Sequence, residues 1–237
     1  MNHPAPTPPN RRVALVTGAS RGLGLALTTR LSSDGWTVVV DARHGHELTR
    51  ATNDVSGAVA VAGDVSDPDH RQTLADTARR LGGLDLLVNN ASMLGPSPQP
   101  RLADYPLEVL DSVYRINVVA PLGLIQVCLP QLVASGGIII NVTSDAAVEG
   151  YEGWGGYGSS KAALDQLTRV LASEEPGLSV YSVDPGDMNT QMHREAFPGE
   201  DISDRPPPEA SVPGLMRLIG ERPGSGRFQV QAVKESS

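Results

Sequence analysis

The chain has 237 residues, enough for one large α/β domain or two small ones. With 40% hydrophobic and 19% charged residues it can build a substantial core. Its formal charge of −8, with no Lys/Arg cluster denser than Arg11-Arg12, argues against nucleic acid or an anionic membrane as a partner. A single cysteine, Cys128, excludes an internal disulfide framework and a Cys-based metal site, and its neighbours Ile125, Val127 and Leu129 make it a buried bystander.

The opening MNHPAPTPPN is Pro-rich and lacks the apolar core of a signal peptide, so residues 1–11 read as a disordered leader to a single domain over 12–237. No stretch reads as long enough to span a bilayer, and a cytoplasmic location is expected. From Arg12 onward, β-branched runs alternate with helically spaced segments. The runs are Val13–Thr17, Thr37–Val40, Ala58–Ala62, Leu84–Val88, Gly137–Val142, Ser179–Val183 and Arg227–Val230. Helices are expected over Leu23–Ser33, Pro68–Leu81, Pro106–Ala134, Ser159–Ser173 and Glu209–Ile219. This alternation predicts an α/β fold, a doubly wound parallel sheet of about seven strands with helices on both faces. The strands are almost continuously apolar, as strands buried on both sides should be. Residues 188–213, rich in Pro, Asp and Glu, read as a flap over a ligand.

Chemistry-bearing motifs follow in order. The first strand runs into Thr17-Gly18-Ala19-Ser20-Arg21-Gly22-Leu23-Gly24 and then a helix. Gly18 suits a tight turn, Gly22 a close approach to pyrophosphate and Gly24 close helix–sheet packing, with the helix N-terminus facing the phosphates. The second strand ends in Asp41-Ala42-Arg43. An acid there accepts from ribose hydroxyls, whereas arginine pairs with a 2′-phosphate. After the third strand, Asp64 suits a cap for the following turn. Asn117 interrupts an otherwise apolar helical run, which costs stability unless the amide is satisfied. Ser144 follows the fifth strand, at the sheet end where ligands bind, and can polarise a substrate oxygen. Tyr157 and Lys161 stand four apart and would share a helix face. A free phenol titrates at about 10, and the neighbouring cation is expected to lower that value so that Tyr157 can exchange a proton with an alcohol or alkoxide. Pro185-Gly186 marks a turn after the sixth strand.

The glycine spacing, the Tyr-x-x-x-Lys pair and the motifs between them resemble those of the short-chain dehydrogenase/reductase family, over roughly Arg12 to Thr190. The resemblance implies hydride transfer between a nicotinamide and a small-molecule carbonyl or alcohol. Tyr157 would be the acid/base, Ser144 the polarising group, Lys161 the group that tunes Tyr157 and holds the ribose, and Asn117 the support of a proton relay. It also implies cofactor contacts from the loop residues Gly18, Ser20, Arg21, Gly22, Leu23 and Gly24, from Asp64-Val65 at the adenine, from Asn90 and Ala91 after the fourth strand, and from Pro185, Gly186 and Thr190 near the nicotinamide. Where relatives carry Asn-Asn-Ala-Gly, this chain has Ser92 in place of the glycine. Arg43 and Arg21 favour NADP(H) over NAD(H), although a one-residue shift of alignment would make Asp41 the NAD-type acid. Gly153-Trp154-Gly155-Gly156-Tyr157 and the segment Leu171–Pro176 most resemble sepiapterin- and benzil-reductase-like members, which points to a ketone or dicarbonyl reductase. An NAD-linked alcohol dehydrogenase and a non-catalytic NADP(H)-binding sensor stay open as alternatives. A homodimer through the fourth and fifth helices, or a homotetramer, is expected from the resemblance. Met93, Leu94, Trp154 and Met188 are candidates for the pocket wall. His44, His46 and His70 are too dispersed for a zinc site, and His193 in the flap reads as exposed.

Overall fold

The computed structural model describes residues 12–230. The expected leader and the tail beyond Val230 lie outside the described residues. Seven strands form one parallel sheet: β1 (Val13–Val16), β2 (Thr37–Ala42), β3 (Ala58–Ala62), β4 (Leu86–Asn89), β5 (Ile138–Val142), β6 (Ser179–Asp184) and β7 (Gly226–Gln229), in the order β3-β2-β1-β4-β5-β6-β7. The chain crosses over after β3 to place β4 beside β1, and the crevice at that switch point opens at the carboxyl ends of the strands.

Successive residues along each strand face opposite sides. Ala14, Val16, Val38 and Val40 therefore pack with α1 (Gly22–Ser33) and α8 (Val212–Glu221), while Val13, Leu15, Val39 and Ile139 pack with α3 (Pro68–Arg80) and the long central helix. That helix has three parts: α4 (Leu107–Tyr114), a π-helical segment (Arg115–Val119) and α5 (Ala120–Ser135). Cys128 lies within the second core, where burial pushes its thiol up to about 12. The bystander reading of this residue holds.

The reading that no stretch reaches membrane-spanning length is corrected here. Leu107–Ser135 is one helix, long and apolar enough to cross a bilayer by length and composition. It also packs as a core helix does: Val113, Ala120, Leu124, Cys128 and Leu132 are buried, and Gln131 donates to the Ala75 carbonyl of α3 at 3.0 Å. Three other differences concern helices. The segment α2 (Gly45–Thr52) was not expected, because Leu48 is its one buried apolar side chain. α6 (Gly155–Glu174) starts earlier than the expected Ser159, its first turn being masked by glycines of low helix propensity. A short helix, α7 (Gln191–Ala196), stands inside the flap.

Candidate active site

A cavity of about 740 Å³ runs across the carboxyl ends of the strands, from the glycine loop to α7. At its phosphate end, Arg21 is extended and makes no side-chain cap, so the first N–H groups of α1 carry no side-chain acceptor and no acidic residue stands in the first turn. Such a helix end favours an anion. Gly24 has no room for a side chain: a Cβ would stand 2.6 Å from both the Gly18 carbonyl oxygen and Asn90 Nδ2. Asn90 braces the loop by donating to the carbonyls of Thr17 at 2.8 Å and Gly18 at 3.2 Å, while Thr17 Oγ1 accepts from the Asn90 and Ala91 N–H groups.

Asp41 is buried and turned inward. One carboxylate oxygen accepts the Gly18 N–H at 2.8 Å, and the other lies 3.2 Å from His70 Nε2. Arg43 stands exposed at the cavity edge with Arg21, whose guanidinium donates to Gln191 of α7. Asp64 accepts from the Ser66 N–H at 2.8 Å, a turn contact of the kind expected, and Asp67 is the side chain that caps α3. Partial burial would raise the Asp64 carboxyl, but the Ser66 hydrogen bonds and the charges of Arg43 and His70 leave it below its ordinary range. Ser20, Gly22, Leu23 and Val65 also line this half of the cavity.

Ser144, Tyr157, Lys161, Pro185, Gly186 and Thr190 line the other half, together with Met93, Leu94, Trp154 and Met188. A close approach permits this assembly. A Cβ on Gly158 would fall 2.5 Å from the Ala146 carbonyl oxygen, so only glycine lets α6 lie against the turn that carries Ser144. Ser144 Oγ donates to Asp145 Oδ1 at 2.8 Å, and Tyr151 OH donates to the other Asp145 oxygen at 3.1 Å. Lys161 is buried and donates to the Val142 carbonyl at 2.9 Å, with Nζ 5.4 Å from the Tyr157 ring centroid. Thr190 caps α7, accepting the His193 N–H at 3.2 Å, and Gly186 donates to Asp184 Oδ1 at 3.0 Å.

The expected lowering of the Tyr157 phenol does not occur. Burial drives it well above its ordinary value; a hydrogen bond with Ser92 opposes this, and Asp184 and Asp145 push it further up. The same burial brings Lys161 down to about 8, with Asp165 acting against the shift. A linkage prediction follows. Between about 8 in the folded chain and about 10.4 for an ordinary lysine, Lys161 binds more protons in the unfolded state, so its own contribution to stability rises with pH across that window. Cys128, held at about 12 when folded against about 8.5 for an ordinary thiol, acts in the opposite direction, so the Lys161 contribution is read as a difference: in denaturant titrations across the window, wild type should gain stability relative to Lys161→Met.

Asn117 is 0% exposed, and its amide is satisfied on both sides. Its Oδ1 accepts from the Met93 N–H at 2.8 Å and Ser92 Oγ at 3.1 Å; its Nδ2 donates to the Met93 carbonyl and Ser160 Oγ, both at 2.9 Å. The side chain thus fastens the segment after β4 to α6, and the π-helical turn that carries it is a geometry frequent at functional sites. Ser92, where relatives carry glycine, uses its hydroxyl in this staple. His193 is 12% exposed, not the surface residue expected; it packs on Phe197 with ring centroids 4.8 Å apart. The sequence reading also missed Asp145, Asp165 and Arg227. Asp145 is adjacent to Ser144 and could have been suspected on that ground. Among the described residues no cluster of His, Cys, Asp and Glu is arranged for a metal.

Comparison with known proteins is consistent with this geometry. The short chain dehydrogenase family model matches residues 12–201. The benzil reductase ((S)-benzoin forming) IRC24 of Saccharomyces cerevisiae is 34% identical over 195 residues, covering 78% of this chain and 74% of the yeast protein. Dehydrogenase/reductase SDR family member 4 of Bos taurus is 36% identical over 196 residues, covering 79% and 69%. Among solved structures, a short chain dehydrogenase of Shigella flexneri complexed with NADP superposes with a TM-score of 0.86 at 29% identity, covering 93% of this chain and 97% of that one.

Proposed function

Because the chain belongs to the short-chain dehydrogenase/reductase family, whose members are oxidoreductases of alcohols and ketones, we propose that it is an NADP(H)-dependent reductase of an apolar ketone or dicarbonyl. The observation that carries the cofactor choice is the inward turn of Asp41. Its two oxygens are already engaged by Gly18 and His70, which makes it a poorer ribose acceptor, and Arg43 and Arg21 stand at that end of the cavity with Glu47 and Asp64 beside them. The uncapped α1 N-terminus and the glycine cradle fit a dinucleotide phosphate. Solved short chain dehydrogenase structures in complex with NADP and with NADPH, each 29% identical to this chain, support the same reading. When bound, the reduced cofactor supplies the hydride.

In this reading Tyr157 donates its proton to the oxygen that becomes the alcohol, a role suited to a phenol that burial keeps protonated. Ser144 hydrogen-bonds that oxygen, and Lys161 holds the ribose end of the nicotinamide. Asn117 keeps the segment after β4 against α6, and Asn90, Ala91, Pro185, Gly186 and Thr190 border the nicotinamide. The wall beside Tyr157 is apolar and aromatic: the Trp154 ring lies 5.8 Å from Tyr157 and 5.7 Å from Phe197, beside Leu94 and Met192. Such a wall suits an aryl or other bulky apolar ketone.

The test is oxidation of NADPH and of NADH against aryl ketones and 1,2-diketones. Turnover with a marked preference for NADPH is expected. Arg43→Ala should weaken NADPH by about tenfold to a hundredfold, the equivalent of about 1.5–3 kcal/mol for a hydrogen bond to a charged group, with little change for NADH. Undiminished NADPH affinity in this variant would overturn the cofactor assignment. Tight NADPH binding without any turnover would favour the sensor reading.

A further inference from the structure

The elements that carry the proposed reacting groups meet at one guanidinium. Arg227 projects from β7, the edge strand. Its Nε donates to Asp165 Oδ2 at 3.1 Å, and its Nη2 donates to the Ser144 carbonyl at 2.9 Å and to Asp184 Oδ2 at 3.3 Å. The arginine side chain is 22% exposed, whereas those of Asp165 and Asp184 are 3% and 5% exposed. Asp165 stands one helical turn beyond Lys161 on α6, and its other oxygen accepts from Ser182 Oγ at 2.6 Å. Asp184 ends β6 immediately before Pro185-Gly186, and it also accepts from Gly186 N–H at 3.0 Å and Gln229 Nε2 at 3.2 Å.

Two nearly buried carboxylates in a protein interior are costly unless paired and hydrogen-bonded. Here a single planar fork satisfies both and spends a further donor on a backbone carbonyl. A lysine cannot reproduce this, because its charge is a compact point without fixed donor directions. The three acceptors belong to the Ser144 turn, to α6 below Tyr157 and Lys161, and to the end of β6 just before the Pro185-Gly186 turn.

We propose that Arg227 is a positioning residue, holding the backbone at Ser144 in register with α6 and with the Pro185-Gly186 turn. This rests on the reductase reading of the site. Its charge also matters there. Lys161 faces Asp165 on its own helix, and Tyr157 faces Asp145 beyond β5 and Asp184 on β6, all of which favour the protonated forms. Arg227 opposes them from β7. Removing it leaves two carboxylates uncompensated and moves the titration of both groups to higher pH.

The experiment compares wild type, Arg227→Met and Arg227→Lys with NADPH and the best ketone. Arg227→Met should lose about tenfold to a hundredfold in kcat, the equivalent of about 1.4 to 2.7 kcal/mol, with the KM for NADPH within about threefold of wild type. The basic limb of its kcat profile should move to higher pH. Arg227→Lys should return that limb towards its wild-type position but recover only part of kcat, separating charge from geometry. It also carries the test if Arg227→Met does not fold. Wild-type kcat in either folded variant overturns the proposal. So does an equal loss of kcat, cofactor affinity and melting temperature with an unmoved pH profile, which is the signature of a purely structural residue. Absence of turnover in the wild type counts against the reductase reading instead. The Lys161 titration, followed by NMR of isotope-labelled lysine side chains, then decides the proposal, and an unmoved Lys161 in Arg227→Met overturns it.

Discussion

Replacing Tyr157 by phenylalanine is expected to lower kcat by about 10²- to 10⁴-fold, the usual contribution of a positioned general acid. NADPH affinity and folding should stay close to wild type. The change removes one oxygen and leaves the ring, which packs with Leu94 and Ala146 and lies edge-on to Trp154. In the proposed reading the phenol donates its proton, and because burial holds it protonated the loss should be felt as strongly at pH 6 as at pH 8. Steady-state kinetics at both values, with NADPH binding followed by fluorescence, provide the check. A variant retaining a tenth or more of wild-type kcat would mean that the proton comes from another group, Ser144 or a solvent path, and the site would have to be reassigned.

The second large effect is expected at the glycine loop. In Gly24→Ala the new methyl would stand 2.6 Å from the Gly18 carbonyl and from Asn90 Nδ2. The amide could turn away, but only by giving up its bonds to Thr17 and Gly18; the carbonyl cannot move without distorting the loop itself. Overpacking of this kind costs about 1–3 kcal/mol of stability. Cofactor affinity should fall further than stability does, because the displaced backbone is the phosphate cradle. Calorimetric titration of NADPH beside a thermal melt separates the two, and a variant that melts like wild type and binds NADPH normally would show that the loop is not pinned where the contacts place it.

Much of this was readable from the residues, for identifiable reasons. Strands buried on both faces are written as unbroken apolar runs, so β1, β2 and β5 could be located closely. The glycine loop and the Tyr157–Lys161 spacing were readable because each depends on local geometry: a turn, a helix start, one helical turn. What depended on long-range partners was not readable. Asp41 stands where either cofactor reading was open, and only its contact with His70, far along the chain on α3, shows which way it turns. The spacing of Tyr157 and Lys161 suggested attraction between charges but contained no measure of burial, and burial dominates both groups. α7 was hidden by a six-residue length and a polar sequence. Arg227, at the head of a short strand, had no local signal linking it to carboxylates on α6 and β6.

The all-parallel sheet has a consequence for how the protein is made. Each strand pairs with one distant in the chain, and β7, the last of the described strands, adds to the edge of β6. Until it docks, Asp165 and Asp184 sit together without the guanidinium that neutralises them in the finished protein. Emergence from the ribosome therefore delivers the nucleotide cradle early and the counter-charge behind the reaction centre last. A nascent chain halted before Gly226 would already contain the residues of the phosphate loop while lacking the fork that joins Ser144 to α6 and to the end of β6.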